Sequence, residues 1–218
     1  MKKLILTIVI YTLFLSNIIA QNNNKKQLEY SNRLTLLAGL IQPLALSGGN
    51  FQVDYNTKRM VFDYSHGFSL DPPVVGDYKD QNLALHLPFS VGFGIGYRLT
   101  SNFDIRFEPK YHGWEVYYKD EDQNDKTRIA DFKTVTLGIG AYYRIMPFKK
   151  SSIGFLKNIA LMSSVRWWQN TSSTIDNDEF KYFNKTTNKV ETFKTPNIGL
   201  ANTPLIINFG LGYTFGGK

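Results

Sequence analysis

Apolar and polar residues alternate along most of the chain with a period of two. In residues 85–99 every odd position is apolar or aromatic, and the even positions hold His, Pro, Ser, Gly or Arg. Residues 103–113 follow the same rule, and their polar face carries five ionisable residues: Asp104, Arg106, Glu108, Lys110 and His112. A period of two is typical of a β-strand with one apolar face. The sequence therefore predicts an all-β protein with long strands.

The alternation and the turn signals between its segments predict eight strands. Their ranges are 33–46, 48–56, 59–70, 85–99, 103–118, 129–146, 154–168 and 204–215. The connections at 57–58, 100–102 and 147–153 are then short, those at 71–84, 119–128 and 169–203 are long, and the first hairpin at 47 is the exception. Both chain ends fall on the side of the short turns. Short turns on one side and long loops on the other are typical of outer-membrane barrels.

The N-terminal residues have the pattern of a secretory signal. Lys2 and Lys3 precede an uncharged apolar run, and Ala20 precedes a polar stretch. We predict a signal peptide at 1–20, with a retained N-terminal anchor as the alternative, and a mature domain at 21–218. Removal of the two lysines lowers the formal net charge from +7 to +5. The basic residues are dispersed and accompany no nucleic-acid motif, so no nucleic-acid partner is expected.

Composition narrows the function classes further. The chain of 218 residues contains no Cys, which excludes disulfides and Cys-ligated zinc or iron–sulfur sites. No cofactor is expected. Four acidic residues in one loop are weighed as a surface cation site and, in preference, as a solvated loop, because Lys119 and Lys126 flank them. These residues are Asp120, Glu121, Asp122 and Asp125.

The polar face of the strands distinguishes a membrane barrel from a soluble one. A soluble barrel directs its apolar face inward, whereas a membrane barrel directs it towards lipid. The polar face is rich in glycine, which suits a crowded, narrow interior. The glycines are Gly92, Gly94, Gly96, Gly138, Gly140, Gly210 and Gly212. Together with the signal and the loop lengths, they favour an eight-stranded antiparallel transmembrane up-and-down β-barrel over a soluble barrel.

The outward aromatic residues near the short turns match the girdle of such barrels. They are Tyr97, Phe103, Tyr143, Tyr213 and Phe215. With its last strand ending in Tyr213 and Phe215, the chain resembles small outer-membrane barrels of the OmpA/OmpX type over nearly all of residues 30–218. The resemblance implies a location in the outer membrane of a Gram-negative bacterium, contact with outer-membrane lipid and lipopolysaccharide, recognition by the barrel-insertion machinery, and usually no catalysis. It transfers no catalytic, cofactor or metal residue.

An eight-stranded barrel is only wide enough for its own side chains. We therefore expect a packed interior in which acidic and basic residues pair, with a narrow conductive path as the alternative. Trp114, Tyr142 and Trp168 are expected to fill the same space. The acids are Asp54, Asp63, Asp104 and Glu108, and the bases are Arg59, Arg98, Arg106, Lys110, Arg144 and Arg166.

One segment carries residue types suited to catalysis. Ser65, His66, Ser69 and Asp71 follow closely on each other, and this composition resembles that of small barrels that edit lipid A. Strand parity opposes the idea, since His66 falls on the lipid side while Ser65 and Ser69 point inward, so a bulge would be needed. His86 and His112 are both predicted to face the lumen.

Three hypotheses follow for the function. The first is a non-enzymatic structural or interaction barrel whose long external loops meet a possible protein partner. The second is a lipid A acyl hydrolase that uses His66 with a serine and Asp71, and the third is a narrow, porin-like channel. The long segment 169–203 is predicted either to form an external hairpin that meets a partner or to cap the rim.

Overall fold

The computed structural model describes residues 32–74 and 81–216. The predicted signal peptide at 1–20 lies outside these residues and stays a prediction. Within the described ranges the chain forms ten strands and one short α-helix, α1 (Ile41–Ala45). The strands are β1 (Arg33–Gly39), β2 (Gly49–Asn56), β3 (Met60–Leu70), β4 (Leu83–Arg98), β5 (Phe103–Tyr118), β6 (Ala130–Ile145), β7 (Ile159–Ser173), β8 (Glu179–Asn184), β9 (Lys189–Lys194) and β10 (Leu205–Gly216).

Eight of the strands form a closed antiparallel barrel. Each strand pairs with its neighbour in the chain, and β10 pairs with both β7 and β1, so that Arg33 lies opposite Gly216 where the barrel closes. Strands β8 and β9 form a separate two-stranded hairpin between β7 and β10. The predicted fold class, an eight-stranded up-and-down barrel of the outer-membrane type, is confirmed. No helix among residues 32–74 and 81–216 is long and apolar enough to cross a bilayer.

The two ends of the barrel differ in their connections. The end that contains Arg33 and Gly216, called the terminal end below, carries the turns 57–59, 99–102 and 146–158. The opposite end, called the loop end, carries 40–48, 71–82, 119–129 and the segment 174–204 that includes β8 and β9. The predicted asymmetry is present only in part, because 57–59 and 99–102 are short but 146–158 is longer than 40–48, 71–82 and 119–129. The turn at 146–158 is longer than predicted, because 154–158 continues the turn and forms no strand.

The two faces of the wall follow the predicted parity over most of the barrel. The side chains of Phe107, Ile139 and Leu211 face outward and are 47%, 62% and 45% exposed, whereas Arg106 and Lys110 face inward and are 1% and 4% exposed. The apolar face is thus the outer one. An outer apolar surface around a polar lumen is the arrangement of a membrane barrel and the inverse of a soluble one.

The parity prediction is wrong in the loop-end part of β4. Leu85 and Leu87 were expected on the outer face, but they point inward and are buried, as does Leu83, which was predicted to lie in the preceding loop. The pairing of β4 with β5 shifts register between His86 and Ser90, and such an irregularity reverses which residues face each side. Pro88 lies within the shifted stretch, where its missing N–H costs no ladder hydrogen bond.

Strand β3 reverses its faces at the same height. Ser69 lies between the pairs Phe68–Phe89 and Leu70–Leu87 and has a positive φ of 51°. Ser69 is consequently exposed and Leu70 is buried, the opposite of the prediction. His86 likewise lies outside the lumen, because the reversal moves it to the outer face.

Beyond this height the wall resembles a soluble barrel. Its outer face becomes polar, and its inner face becomes apolar through residues such as Trp114 and Phe132. The loop-end parts of β4–β7, from Leu83 to Pro88, Gly113 to Tyr118, 130 to 134 and 169 to 173, are called the upper extension below. Its outward polar residues include His86, Glu115, Asp131, Lys133 and Gln169.

Two strands have boundaries that differ from the prediction by more than two residues. Strand β1 ends at Gly39, not at 46, because the chain enters helix α1, which contains Pro43 and cannot continue a ladder. Strand β7 begins at Ile159 and continues to Ser173, five residues beyond its predicted end. Its added residues pair with the loop-end part of β6 and extend the wall.

Candidate functional site

The lumen near the terminal end is organised around Arg106. The guanidinium donates two hydrogen bonds of 2.9 Å to Asp54, from Nη1 to Oδ1 and from Nη2 to Oδ2. Its Nε donates to Asp104 Oδ1 at 2.6 Å, and Nη1 donates to Asp63 Oδ2 at 3.2 Å. Arg144 Nη2 adds a bond to Asp54 Oδ2 at 3.0 Å. The two arginines therefore hold three carboxylates in one buried network.

Glu108 organises the next tier towards the loop end. It accepts hydrogen bonds from the Tyr142 hydroxyl and from Trp168 Nε1, the latter at 3.2 Å, and Lys110 Nζ lies 3.9 Å from its Oε1. Arg166 lies over both rings, with its guanidinium carbon 5.0 Å from the Tyr142 centroid and 5.2 Å from that of Trp168. The predicted packed ionic interior is present, with four carboxylates facing Arg106, Lys110, Arg144 and Arg166.

Two basic residues depart from that prediction. Arg59 was expected in the lumen, but it lies exposed in the β2–β3 turn and donates a hydrogen bond to the Tyr97 hydroxyl. Arg98 is buried, and its Nη1 donates to the carbonyl of Thr57 at 2.6 Å. Arg98 therefore supports a turn at the terminal end.

Inward glycines make room for these large side chains, as predicted. A Cβ on Gly94 would lie 2.0 Å from Asp63 Oδ2, and one on Gly138 would lie 1.8 Å from Trp168 Cδ1. Neither position accepts any side chain without displacement of its neighbour. The lumen at this height is filled by protein atoms.

An apolar plug fills the barrel inside the upper extension. Leu70, Leu83, Leu85, Leu87, Trp114, Val116 and Phe132 form one buried cluster with Tyr182 and Phe193 of the β8–β9 hairpin. Trp114 stacks on Phe132 with ring centroids 5.9 Å apart. The hairpin therefore closes the loop end by adding its own aromatic residues to the core, which satisfies the capping alternative predicted for 169–203.

Hydrogen bonds attach the hairpin to the neighbouring loops. The Tyr182 hydroxyl lies 3.0 Å from the carbonyl of Gln81 and 3.2 Å from Glu191 Oε2, and the Tyr118 hydroxyl donates to the carbonyl of Phe183 at 2.7 Å. Lys185 also pairs with Glu121. The cap is thus bonded to the β3–β4 and β5–β6 connections.

Two of these hairpin groups have shifted pKa values. Burial, assisted by the Glu191 carboxylate, raises the pKa of Tyr182 to about 12. Hydrogen bonds donated by Asn184 and Thr187 lower the pKa of Glu191 below its ordinary value. At neutral pH the neutral phenol therefore meets an ionised carboxylate across the hairpin.

The residues of the segment considered for the alternative hydrolase are not brought together. Ser65 faces the lumen and accepts a hydrogen bond from Lys110, whereas His66 faces outward. The His66 ring stacks on Phe51 at 5.5 Å, and its Nδ1 lies 3.3 Å from the Tyr64 hydroxyl. His66 and Ser65 face opposite sides of the wall, as strand parity predicted, and the alternative arrangement of His66 with Ser65 and Asp71 is not formed.

Asp71 pairs instead with a different histidine. Its Oδ1 lies 2.6 Å from His86 Nδ1, on the outer side of the barrel where the faces reverse. Strand parity did not predict this pair, because it placed His86 in the lumen. Pro88, two residues further along, was the sequence signal for the irregularity. His112, by contrast, faces the lumen as predicted and contacts Ser90 and Thr136.

The acidic loop holds its charges apart. Asp125 pairs with Arg128 at 3.1 Å, and Glu121 is engaged by Lys185. Within residues 32–74 and 81–216, no group of three or more His, Asp or Glu side chains is placed to hold a metal ion. Two of the four acidic residues of the loop, Glu121 and Asp125, are thus paired with basic side chains.

Comparison with known proteins gives similar structures but no related sequences. No protein-family model matches the chain, and no curated protein does. The chain is similar to a major outer membrane protein from Thermus thermophilus, with 11% identity, a TM-score of 0.47 and coverage of 85% of this chain and 99% of that one. It is also similar to the attachment invasion locus protein Ail of Yersinia pestis, at 11% identity, a TM-score of 0.37 and coverage of 85% and 97%. Neisserial surface protein A is similar as well, at 12% identity, a TM-score of 0.34 and coverage of 87% of this chain and 96% of that one.

Proposed function

We propose that the chain is a non-enzymatic barrel of the Gram-negative outer membrane, with a closed lumen and a cell-surface hairpin that contacts a partner. The observation that carries the proposal is that the outer face of the barrel wall is apolar and its inner face is charged. Phe107 and Ile139 face outward while Arg106 and Glu108 are buried between them. Only an apolar surrounding stabilises this arrangement, because it exposes a continuous belt of large apolar side chains. The terminal end then faces the periplasm and the loop end faces the cell exterior.

The closed lumen supports a structural or interaction role over a porin-like one. Two successive barriers lie along the axis: the network around Arg106 and Glu108, and the apolar plug around Trp114. Ions crossing the second barrier would lose their hydration among Leu, Trp and Phe side chains with no compensating ligands. We therefore expect no steady conductance.

The hairpin offers a surface for a partner. Its inner face is buried, whereas Phe183 and Val190, which pair across the two strands, remain 49% and 67% exposed on its outer face. Lys181 and Lys194 lie exposed on the same hairpin. An exposed apolar pair with lysines on the same hairpin is suited to bind an acidic protein surface.

The barrel itself is tested by refolding the chain into lipid vesicles. The folded protein should migrate differently from the boiled protein on a gel, and extrinsic protease should cleave only outside the strands. Equal mobility with and without boiling would contradict the membrane architecture.

Closure is tested by recording currents across planar bilayers. The wild-type protein should be silent, and a variant with residues 176–195 replaced by a short Gly-Ser linker should also stay closed, because the ionic network remains. Steady single-channel currents from well-folded wild-type protein would support the porin-like alternative.

The surface role is tested with Phe183→Ser/Val190→Ser. The double variant should fold normally and lose adhesion of expressing cells to a panel of acidic host and bacterial surface proteins. Thr192→Ser, on the same hairpin, is the matched control. Unchanged adhesion in the double variant would exclude this patch.

A lipid A acyl hydrolase is the second candidate, and the Asp71–His86 pair favours it. A carboxylate that orients a histidine is half of a serine-hydrolase arrangement, and Ser69 is exposed nearby on the adjoining strand. No hydrogen bond from Ser69 to His86 is present in the described part of the chain. Mass spectrometry of lipid A from cells with wild-type protein, His86→Gln and no protein decides this, since three identical profiles would exclude the hydrolase.

A further inference from the structure

The β6–β7 turn at 146–158 is the longest connection at the terminal end. It exposes three large apolar residues, Phe148, Ile153 and Phe155, which are 47%, 58% and 65% exposed. Exposed lysines stand beside them at Lys149, Lys150 and Lys157. Exposure of this much apolar surface is unfavourable for a turn that is surrounded by water. Apolar residues interleaved with lysines are typical of a segment at a membrane interface.

This turn forms one side of an outward-facing groove. Phe155 stacks on Tyr213 with ring centroids 5.3 Å apart, and Asn158 Nδ2 donates to the Tyr213 hydroxyl at 3.1 Å. The groove has a volume of about 760 Å³ and is largely open to the surroundings of the barrel. Its lining residues are apolar or aromatic and include Leu36, Ala38, Phe155, Ile159, Leu211 and Phe215.

The three described turns of the terminal end carry charge of one sign. The three turns 57–59, 99–102 and 146–158 contain Lys58, Arg59 and the three lysines of the β6–β7 turn, and no Asp or Glu. The loop end is mixed, with acids such as Asp120 and Glu179 among its lysines. A uniformly basic rim attracts anions, and anionic lipid headgroups are the anions nearest a membrane-embedded wall.

We propose that this groove binds one anionic glycerophospholipid of the periplasmic leaflet. One acyl chain lies against Leu36, Leu211 and Phe155, and the phosphate is held by Lys149, Lys150 and Lys157. The proposal rests on the membrane orientation given under the proposed function. It adds a specific lipid site to the general contact that every outward apolar residue makes with the bilayer.

The arrangement favours a lipid over a second copy of the chain. A copy presenting the same rim would bring the lysines of two β6–β7 turns together, and like charges at close range repel. A lipid supplies the opposite charge and the apolar chain in one molecule. Its two parts match the two halves of the site in the order that the bilayer imposes, with the headgroup at the rim and the chain in the wall.

Native mass spectrometry of the refolded full chain tests the proposal. The protein in a neutral detergent is titrated with phosphatidylglycerol and, separately, with phosphatidylcholine of the same chain length. We expect one phosphatidylglycerol to be retained, with at least about tenfold preference over phosphatidylcholine. Lys149→Gln/Lys150→Gln/Lys157→Gln should abolish the preference, since each lysine near a lipid surface contributes roughly fivefold. Phe155→Ser should weaken retention of both lipids.

A matched triple variant at the loop end, Lys119→Gln/Lys126→Gln/Lys133→Gln, removes the same charge from exposed positions and should keep the wild-type preference. Equal retention of the two lipids by wild-type protein, or equal loss in both triple variants, would overturn the site. Competition by glycerol phosphate without chains would show a headgroup site alone, and lipid-free dimers would show a second copy in the groove. Both results also overturn the proposal. Gel mobility of the same samples distinguishes failure of the lipid site from failure of the barrel.

Discussion

Trp168 lies directly against the backbone of Gly138 across the β6–β7 pair, so that a Cβ on Gly138 would be 1.8 Å from Trp168 Cδ1. The indole also donates to Glu108 Oε2 at 3.2 Å, which fixes the ring in this position. The absence of one methyl group therefore allows the indole to lie over Gly138 and bond to Glu108, which pairs with Gly138 from the other side.

Gly138→Ala should destabilise the barrel. Overpacking a filled interior costs about 1–3 kcal/mol, and the ring cannot retreat without losing its bond to Glu108. The measurement is urea unfolding in lipid vesicles, followed by tryptophan fluorescence. Gly154→Ala is the matched control, because a Cβ there meets nothing within 4 Å. Equal unfolding midpoints for the two variants would show that Trp168 and its neighbours shift to accommodate the added methyl group at little cost in free energy.

Arg106→Met should cost more than any exposed substitution. It leaves Asp54 and Asp104 buried without their main counter-charge, and loss of one partner of a buried ion pair costs about 3–5 kcal/mol. Lys126→Met, at an exposed loop position, is the control. Addition of Asp54→Asn to Arg106→Met should restore part of the lost free energy of unfolding. If it restores none, the carboxylate was not the source of the penalty.

Single cysteines in β4 should report the reversal of its faces. The chain has no native Cys, so each label reports one site. In vesicles, Phe93→Cys should react with a lipid-soluble maleimide, and Leu87→Cys should stay unreactive until the protein unfolds, although both positions are odd. Lys133→Cys, on the polar face of the upper extension, should react with a membrane-impermeant reagent. Ready reaction of Leu87→Cys in folded protein would contradict the inward assignment.

The β8–β9 hairpin should be most stable against local opening between about pH 4.5 and 10. Because the pKa of Tyr182 is raised to about 12 from 10.0, its contribution is complete below pH 10 and is lost as the pH rises through 12. Because the pKa of Glu191 is lowered from 4.5, its contribution is present above that pH and is lost as the pH falls below it. Hydrogen exchange of the Phe193 amide follows both steps. In Tyr182→Phe the alkaline step should disappear, and its persistence would assign it to another group.

The sequence was sufficient for the barrel because the alternation in β5, β6 and β10 is long and unbroken. Residues such as Phe107 and Arg106 differ so strongly in polarity that a single parity assigns both faces. It was insufficient for β3 and β4 beyond Ser69 and His86, where leucines continue to alternate after the chain has changed register. Alternation shows which residues share a face, but it does not show where along the strand the outer surroundings change from lipid to water. Leu85 and Leu87 were therefore assigned to the lipid-facing side.

Strand parity also determined which side-chain contacts could be predicted from the sequence. The ionic lumen was predictable, because Asp104, Arg106, Glu108 and Lys110 occupy successive inward positions of one strand. The pair of Asp71 and His86 was not, since it joins two strands just where both reverse. The groove beside Phe155 was hidden by the assignment of 154–158 to a strand.

The height at which β4 reverses has a further consequence for the membrane that suits this protein. Strands of 16 residues, such as β4 and β5, would rise about 40 Å at the usual tilt, more than the apolar band of about 25 Å in outer-membrane barrels. The apolar outer surface ends at Pro88. The bilayer thickness that the barrel matches is therefore determined by the position of the bulge and not by strand length. A thin bilayer is therefore accommodated without tilting the molecule or stretching the lipids.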